Sequence, residues 1–466
     1  MLIATQEEQY DLDIDDIFEF TTGGPLLLID ADPIAYSSAS ACDKATHILS
    51  LNGSELFTVE GGITALYNHL SFKDYREFNK MLENNPDITY SKSVDSDDSG
   101  NMFHTIKAQV KKLIKRTGAG SVKLYLTDGA TNFRVTENIA TILKYKGNRS
   151  SDAKPKMLGK ARDYMVDQLG AIMCVGYEAD DLLAFEHRKA WSQAVQDAQL
   201  HFIDKDEPTQ AELEEVAIDM SETILCTIDK DIKMVAGKFL NPDQDIGVER
   251  ITSFGHVFLE EKAKSKKLRF CGYVGFMAQM LLGDATDNIP SLYNLGDVKA
   301  YEILKDCKTD EEAFKEMYRE VHRSILRKHV STLKDDVLIK VDKAVELGQV
   351  KDNKSARDRC RKKMTDKLLS IASYGDFQYV HWDEFVLKED GTVSKELKDP
   401  ENYLVNHLSP RQYITEVGRL LYMLDTLPNE AGDHLWVPDD KWCTSIENEF
   451  AIENLDRVET NWGSLV

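Results

Sequence analysis

The sequence predicts an α/β fold, a central and mostly parallel sheet flanked by helices, and three observations predict it. Short apolar runs (Leu26 to Ile29, Val122 to Thr127, Ile224 to Ile228) have the length of strands buried on both faces, and each is closed by an aspartate: Asp30, Asp128 and Asp229. Segments of helical period separate them, at residues 102–117 and from Met157 to Leu169. Further acids fall where a strand end or a helix start would bring them to the same place: Glu178, Asp180 and Asp181 in GYEADDLLA, Asp231 after Asp229, and Asp284 with Asp287 in LLGDATDNIP. Open parallel sheets bind ligands outside the carboxyl ends of their strands. Nine carboxylates gathered there cannot all stay ionised without cations. Hard divalent ions with oxygen ligands, Mg²⁺ or Mn²⁺, are the natural partners.

Taken in order, residues 1–22 read as an acidic leader that stops at the turn signal Gly23-Gly24-Pro25. Between the first and second strands lies a long excursion over residues 37–120. It is expected to hold a hairpin about Asn52-Gly53, a helical segment from Tyr67 to Leu82, a loose polar stretch from Asn84 to Asn101, and the 102–117 helix. After Asp128 come a short turn, the basic YKGNR of Tyr145 to Arg149, the Met157–Leu169 helix and the acidic helix start at Glu178. The acid-rich residues 204–222 read as a loop insertion before the third strand. The α/β core is therefore expected over 23–269, followed by a small helical unit at 270–306. A charged, helical extension at 307–436 follows, whose apolar Tyr413–Leu427 segment docks on the core, and then an acidic tail at 437–466.

The chain has 466 residues, 42% of them hydrophobic, and its formal charge is −23. That charge argues at first against a polyanionic substrate. Its distribution weakens the objection: residues 1–20, 204–222 and 430–466 each carry a net −7, leaving −2 for everything else, the nine acids included. Basic stretches then stand out at Lys107 to Arg116, Lys262 to Arg269 and Arg357 to Lys363, although any one of them is also what a solvated helix face looks like. Seven scattered cysteines show no CxxC pair and no zinc spacing, so reduced thiols are expected. No apolar run reaches the ~20 residues of a membrane span, and the amino terminus is acidic where a signal peptide is basic. A cytoplasmic protein with no membrane partner is expected.

LLLIDADPIAY, LTDGATNFR, YKGNR, GYEADDLLA, TIDKDIKMV and LLGDATDNIPS stand in the order found in the 5′ nuclease family of flap endonucleases and 5′-3′ exonucleases, and the chain resembles that family over about 280 residues. The large excursions and the late RQYITEVGRLLYML through HLW look most like the exonucleases of short-tailed bacteriophages. The resemblance implies a nuclease-like fold and hydrolysis of DNA phosphodiester bonds from 5′ ends, with RNA in RNA/DNA hybrids a further substrate, during phage replication or recombination in the host cytoplasm. It implies two Mg²⁺ ions, for which Mn²⁺ can substitute. Asp30, Asp128, Glu178 and Asp180 would surround the first, Asp229, Asp231 and Asp287 the second, with Asp181 and Asp284 in support. Lys146 and Arg149 would hold the scissile phosphate, with Tyr145, Lys154 and Lys156 beside the DNA and an arch over residues 146–177. Residues 270–306 match the family's helix-turn-helix, which grips duplex backbone and often holds K⁺, and place Gly296 and Lys299 at the DNA. Here the chain departs from the pattern, since Ser291 to Gly296 keeps one glycine and so offers a poorer backbone nest for K⁺.

Three readings compete with a 5′-3′ exonuclease. A flap endonuclease would use the same site. A phosphatase of the haloacid dehalogenase type would use Asp30 as a covalent nucleophile with Asp32 behind it, but leaves EADD, the Asp229/Asp231 pair and YKGNR unexplained. A DNA-binding protein without activity would have no use for nine mutually repelling acids. The acidic termini suit either solubility or the recruitment of a replication protein.

Overall fold

The computed structural model describes residues 18–96, 100–150, 154–203, 207–262, 265–332, 341–371, 376–428 and 434–461. In chain order the first nine strands are β1 (Leu26–Asp30), β2 (Asp43–Leu51), β3 (Ser54–Glu60), β4 (Ile88–Ser96), β5 (Ser121–Thr127), β6 (Ile172–Cys174), β7 (Thr223–Cys226), β8 (Gly237–Leu240) and β9 (Glu249–Ile251). Six of them form one sheet in the order β6-β5-β1-β7-β8-β9, parallel except for the edge strand β9. The mixed α/β fold with a mostly parallel central sheet is therefore present. Alternation along β1 shows why these short runs are strands: Leu27 and Ile29 enter one core, and Leu28 between them enters the other. On the first face pack the helices Asp32–Ser40, Gly100–Thr117 and Leu158–Leu169. The second face is covered by Ala179–His201, and the core there runs on to Gly272–Leu282 and the later helices.

The excursion after β1 is a small lobe of its own, a β3-β2-β4 antiparallel sheet with its own apolar cluster around Leu49, Leu66 and Phe78. The expected hairpin is there, with Asn52 (φ 50°) and Gly53 (φ 81°) both in the left-handed region that such two-residue turns require. The Tyr67–Leu82 helix is instead two helices, Ile63–His69 and Tyr75–Asn84, separated at Ser71, whose φ is 57°. The stretch expected to be loose, Asn84–Asn101, contains β4, paired with β2 from Asp43↔Ser96 to Leu51↔Ile88.

Other boundaries also move. Most of the leader lies outside the described residues, but its end is docked: Phe18 is buried and the Thr21 N–H bonds the Ala119 carbonyl at 2.9 Å. The 204–222 insertion holds a helix, Gln210–Met220, closed by a Thr209/Glu212 capping box. Within 146–177, the helix Leu158–Leu169 buries Ala161, Met165 and Leu169 in the core and is not part of a free-standing arch. The expected boundary at 269 falls inside an antiparallel ribbon of β10 (His256–Lys262) and β11 (Ser265–Cys271), which is followed by helices Gly272–Leu282 and Asp297–Leu304 with a tight connection between them. The 307–436 extension begins helical, with Asp310–Thr332 and Lys354–Ile371. It then contains two antiparallel pairs, β12 (Phe377–Val380) with β15 (Val405–Leu408) and β13 (Phe385–Leu387) with β14 (Val393–Leu397). Helix Pro410–Leu421 follows and packs through Tyr413, Ile414, Val417 and Leu421. The acidic tail is a helix, Asp440–Asn461, whose Cys443, Ile446 and Phe450 join the main core.

Candidate active site

The strand ends and one helix start deliver the acids. Asp30 closes β1, Asp128 follows β5, and Asp229 and Asp231 follow β7. Glu178 is the N-cap of the Ala179–His201 helix, which is tied to the sheet by the Ala179 N–H on the Thr127 hydroxyl at 2.9 Å. Asp284 and Asp287 come from the connection after Gly272–Leu282, pinned by a two-way backbone pairing of Asp284 with Ile289. Eight of the nine, Asp30, Asp128, Glu178, Asp180, Asp229, Asp231, Asp284 and Asp287, line one cleft of ≈ 1640 Å³. Tyr145, Lys146, Arg149 and Lys154 line it with them.

Burial has a cost for these acids that hydrogen bonds only partly offset. Asp30 accepts from the Thr227 hydroxyl at 3.0 Å and the Asp32 N–H at 3.1 Å, yet burial, and then the charge of Asp32, push it up to about 7. Asp180 is raised well above the carboxylate range by burial and by Asp30 and Asp229, and its Oδ1 has no hydrogen-bond partner among the described residues. Burial also raises Asp229, and raises Asp231 strongly, although the Asp231 N–H donates to Asp229 at 2.8 Å and Gln279 donates to Asp231. Two acids go the other way. Burial would raise Glu178, but the Lys146 and Arg134 charges outweigh it; at Asp284, burial is outweighed by Lys230 at 2.7 Å.

The cations are held by the same loops. Lys146 sits in the left-handed region (φ 53°), which is strained for a side-chain-bearing residue, and its N–H is fixed by the Asp287 carbonyl at 2.8 Å. Its ammonium bonds Glu178, and Arg149 bonds Asp287. The Tyr145 hydroxyl lies 2.9 Å from Glu178 and 3.0 Å from Asp287. Cleft residues that sequence reasoning passed over are Arg134, Arg162 and Lys230, which sit on Asp181, Asp32 and Asp284 respectively. Arg134 and Lys230 stand inside motifs already singled out; Arg162 has no local signal at all.

Asp181 stands apart from the other eight acids. It is fully buried and does not line the cleft, since its two oxygens take the Arg134 guanidinium at 2.6 and 2.9 Å while its side chain also caps the Glu178 N–H at 3.0 Å. The geometry makes it an anchor for the helix start. Lys156 is exposed and does not line the cleft either, nor do Gly296 and Lys299. Gly296 is the N-cap of Asp297–Leu304, and the Lys299 ammonium bonds the Asn294 carbonyl at 2.7 Å.

The donor set suits hard divalent cations: it is made of carboxylate oxygens, several of them pushed up by burial and then by one another, with one buried oxygen lacking a partner among the described residues. Among the described residues, however, no three His, Cys, Asp or Glu side chains are gathered closely enough to share an ion. Glu178, Asp284 and Asp287 are instead turned to Lys146, Lys230 and Arg149. Among the described residues no helix is long and apolar enough to cross a membrane.

No family model matches the chain, and no curated protein matches it. Among solved structures it is similar to the T5 D15 protein co-crystallized with metal ions, at 13% identity over 75% of this chain and 99% of that one, with a TM-score of 0.27.

Proposed function

We propose that this chain is a divalent-metal-dependent nuclease that hydrolyses DNA phosphodiester bonds from 5′ ends, releasing 5′-phosphate products. One observation supports this above the rest: acids from five separate segments and the basic turn Tyr145–Arg149 share one cleft. Asp30, Asp128, Glu178 and Asp180 would hold one Mg²⁺ or Mn²⁺, and Asp229, Asp231 and Asp287 a second, with Asp284 steadied by Lys230. Two such ions, when bound, activate water and stabilise the leaving 3′ oxygen.

The chain's own groups do the rest. Lys146 and Arg149 exchange Glu178 and Asp287 for the scissile phosphate and take up its developing negative charge. Tyr145 holds Glu178 and Asp287 in place during that exchange. Thr227 and the Asp32 N–H orient the Asp30 carboxylate. Residues 270–306 would grip the duplex through Gly296 and Lys299, and K⁺ there has little backbone nest to sit in. A covalent phosphatase fits less well, because Asp32, which would stand behind the Asp30 nucleophile, is engaged by Arg162.

The test is digestion of a duplex labelled separately at its 5′ and 3′ ends, with and without a 5′ flap, in Mg²⁺ and in EDTA. Metal-dependent loss of the 5′ label as mononucleotides is the expected result. Release of an intact flap would indicate the structure-specific endonuclease. If no metal supports cleavage and a small phosphoester is hydrolysed instead, the nuclease reading is lost.

A further inference from the structure

Residues 377–397 are seated on the segment that leads into the basic turn. Trp382 donates from its indole to the Ala140 carbonyl at 2.7 Å and from its N–H to the Thr141 carbonyl at 3.2 Å, and the Lys144 ammonium lies 5.4 Å from the centre of its ring. The Val393 N–H of β14 bonds the carbonyl of Gly147, the residue between Lys146 and Arg149 in that turn. Anchored there, the β13–β14 hairpin places its own turn in the cleft: Asp390 and Gly391 line it together with Lys146 and Arg149.

That turn is tightly built. Gly391 is in the left-handed region (φ 82°), its N–H bonds the Lys388 carbonyl at 3.0 Å, and Asp390 accepts from the Thr392 N–H at 3.0 Å and its hydroxyl at 2.6 Å. It carries Glu389 and Asp390 after Lys388, and of these Asp390 lines the cleft, where the phosphate-holding groups are basic. Asp390 is not part of the metal set, and it sets a negative charge in the same cleft as Lys146 and Arg149.

We propose that this hairpin is a strand stop, resting on the nuclease reading above: the acidic turn repels the next phosphates of a 5′ strand beyond Lys146 and Arg149, so that short 5′ ends are admitted and long single-stranded extensions are not. Like charges placed against one substrate form discriminate by repulsion, and exposed charges do so in a salt-dependent way.

The double variant Glu389→Gln with Asp390→Asn removes both charges and keeps the acceptor for Thr392. It is compared with wild type on two 5′-labelled duplexes, one blunt and one with a single-stranded 5′ extension of about 20 nucleotides. The wild type is expected to favour the blunt end. The variant should leave the blunt-end rate within about twofold, raise cleavage of the extended substrate roughly tenfold relative to it, and release longer labelled fragments, a gain that shrinks at high salt. An unchanged ratio and fragment length would overturn the proposal. So would an equal fall on both substrates, which would mean that the turn only supports the fold. Affinity for a 5′-phosphorylated single strand in Ca²⁺ gives a reading independent of cleavage: the variant should bind several-fold tighter at low salt, and equal affinity counts against the stop. A wild type that cleaves nothing in Mg²⁺ or Mn²⁺ but shows this difference in binding would fail the nuclease reading and not the hairpin.

Discussion

Arg134 and Asp181 hold the site from behind. Both are buried; the guanidinium also donates to the Leu420 and Tyr422 carbonyls, at 3.0 and 2.8 Å, and lies 3.6 Å from Glu178. Removing one partner leaves the other charged and dry, so Arg134→Met is expected to cost about 3–5 kcal/mol in urea unfolding. Cleavage should fall further than the folded fraction does, because the Arg134 charge also acts on Glu178. Asp180→Asn should behave in the opposite way. This acid is already disposed to hold a proton, so stability without metal should change by less than about 0.5 kcal/mol. Mg²⁺-dependent cleavage should drop by about 10³-fold with DNA binding in Ca²⁺ retained. Full activity in Asp180→Asn would remove the metal assignment. At this scale the sequence was mostly readable, because a carboxylate at the end of an apolar run is conspicuous. What Asp181 supports was not legible, since a capping box and a metal ligand use the same residue type at the same helix start, and only the distant Arg134 distinguishes them.

Among elements, the misread ones were those whose partners lie outside their own segment. The sequence ITYSKSVDS of β4 looks like a loop because its outer face is serine and acid; what makes it a strand is β2, read nearly fifty residues earlier, and the inward Ile88 and Tyr90. The 210–220 helix was obscured by its acids, although Leu213, Val216 and Ala217 keep helical spacing against Trp191, Val195, Ala194 and Ala198. The C-terminal helix is similar: Cys443, Ile446 and Phe450 form a stripe in an otherwise acidic segment, and Arg411 and Arg319 receive its Glu447 and Glu449. Its removal therefore has a cost that solubility or partner recruitment alone does not predict. Truncation after residue 436 exposes that stripe's seat on the Asp310–Thr332 helix, and several kcal/mol of stability should be lost at about 25 cal/mol per Å² uncovered. Thermal unfolding checks this, and an unchanged melting temperature would restore the free tail.

For the whole molecule, the acids make stability depend on pH and metal together. Asp30 is raised in the folded state to about 7 from an ordinary 3.8, so the stability that it contributes is complete below the ordinary value and is lost as pH rises towards and through 7. Asp180, Asp229 and Asp231 are displaced in the same direction. A divalent ion needs those groups deprotonated and rewards their ionisation. The rise in melting temperature on adding millimolar Mg²⁺ should therefore be small at pH 5 and grow to several degrees by pH 8, and should shrink in Asp180→Asn. A rise that is the same at every pH would contradict the shared acidic site. The parallel sheet was legible because both its faces are buried. The joining of the 377–397 insertion to the basic turn was not, because it is made by backbone carbonyls at Ala140, Thr141 and Gly147, which any sequence supplies.

The bonds from Arg134 to the Leu420 and Tyr422 carbonyls span 286 and 288 positions of the chain. Contacts of such separation form late, after most of the loop-closure entropy has been lost. During synthesis the carboxylates of β1 and β5 leave the ribosome long before the helix that seats Arg134, and with it Asp181 and the Glu178 helix start, has been made. A chain truncated before that helix is thus unable to assemble the complete acidic cleft, and the proposed activity would be withheld until the chain has been made past Tyr422 and folded.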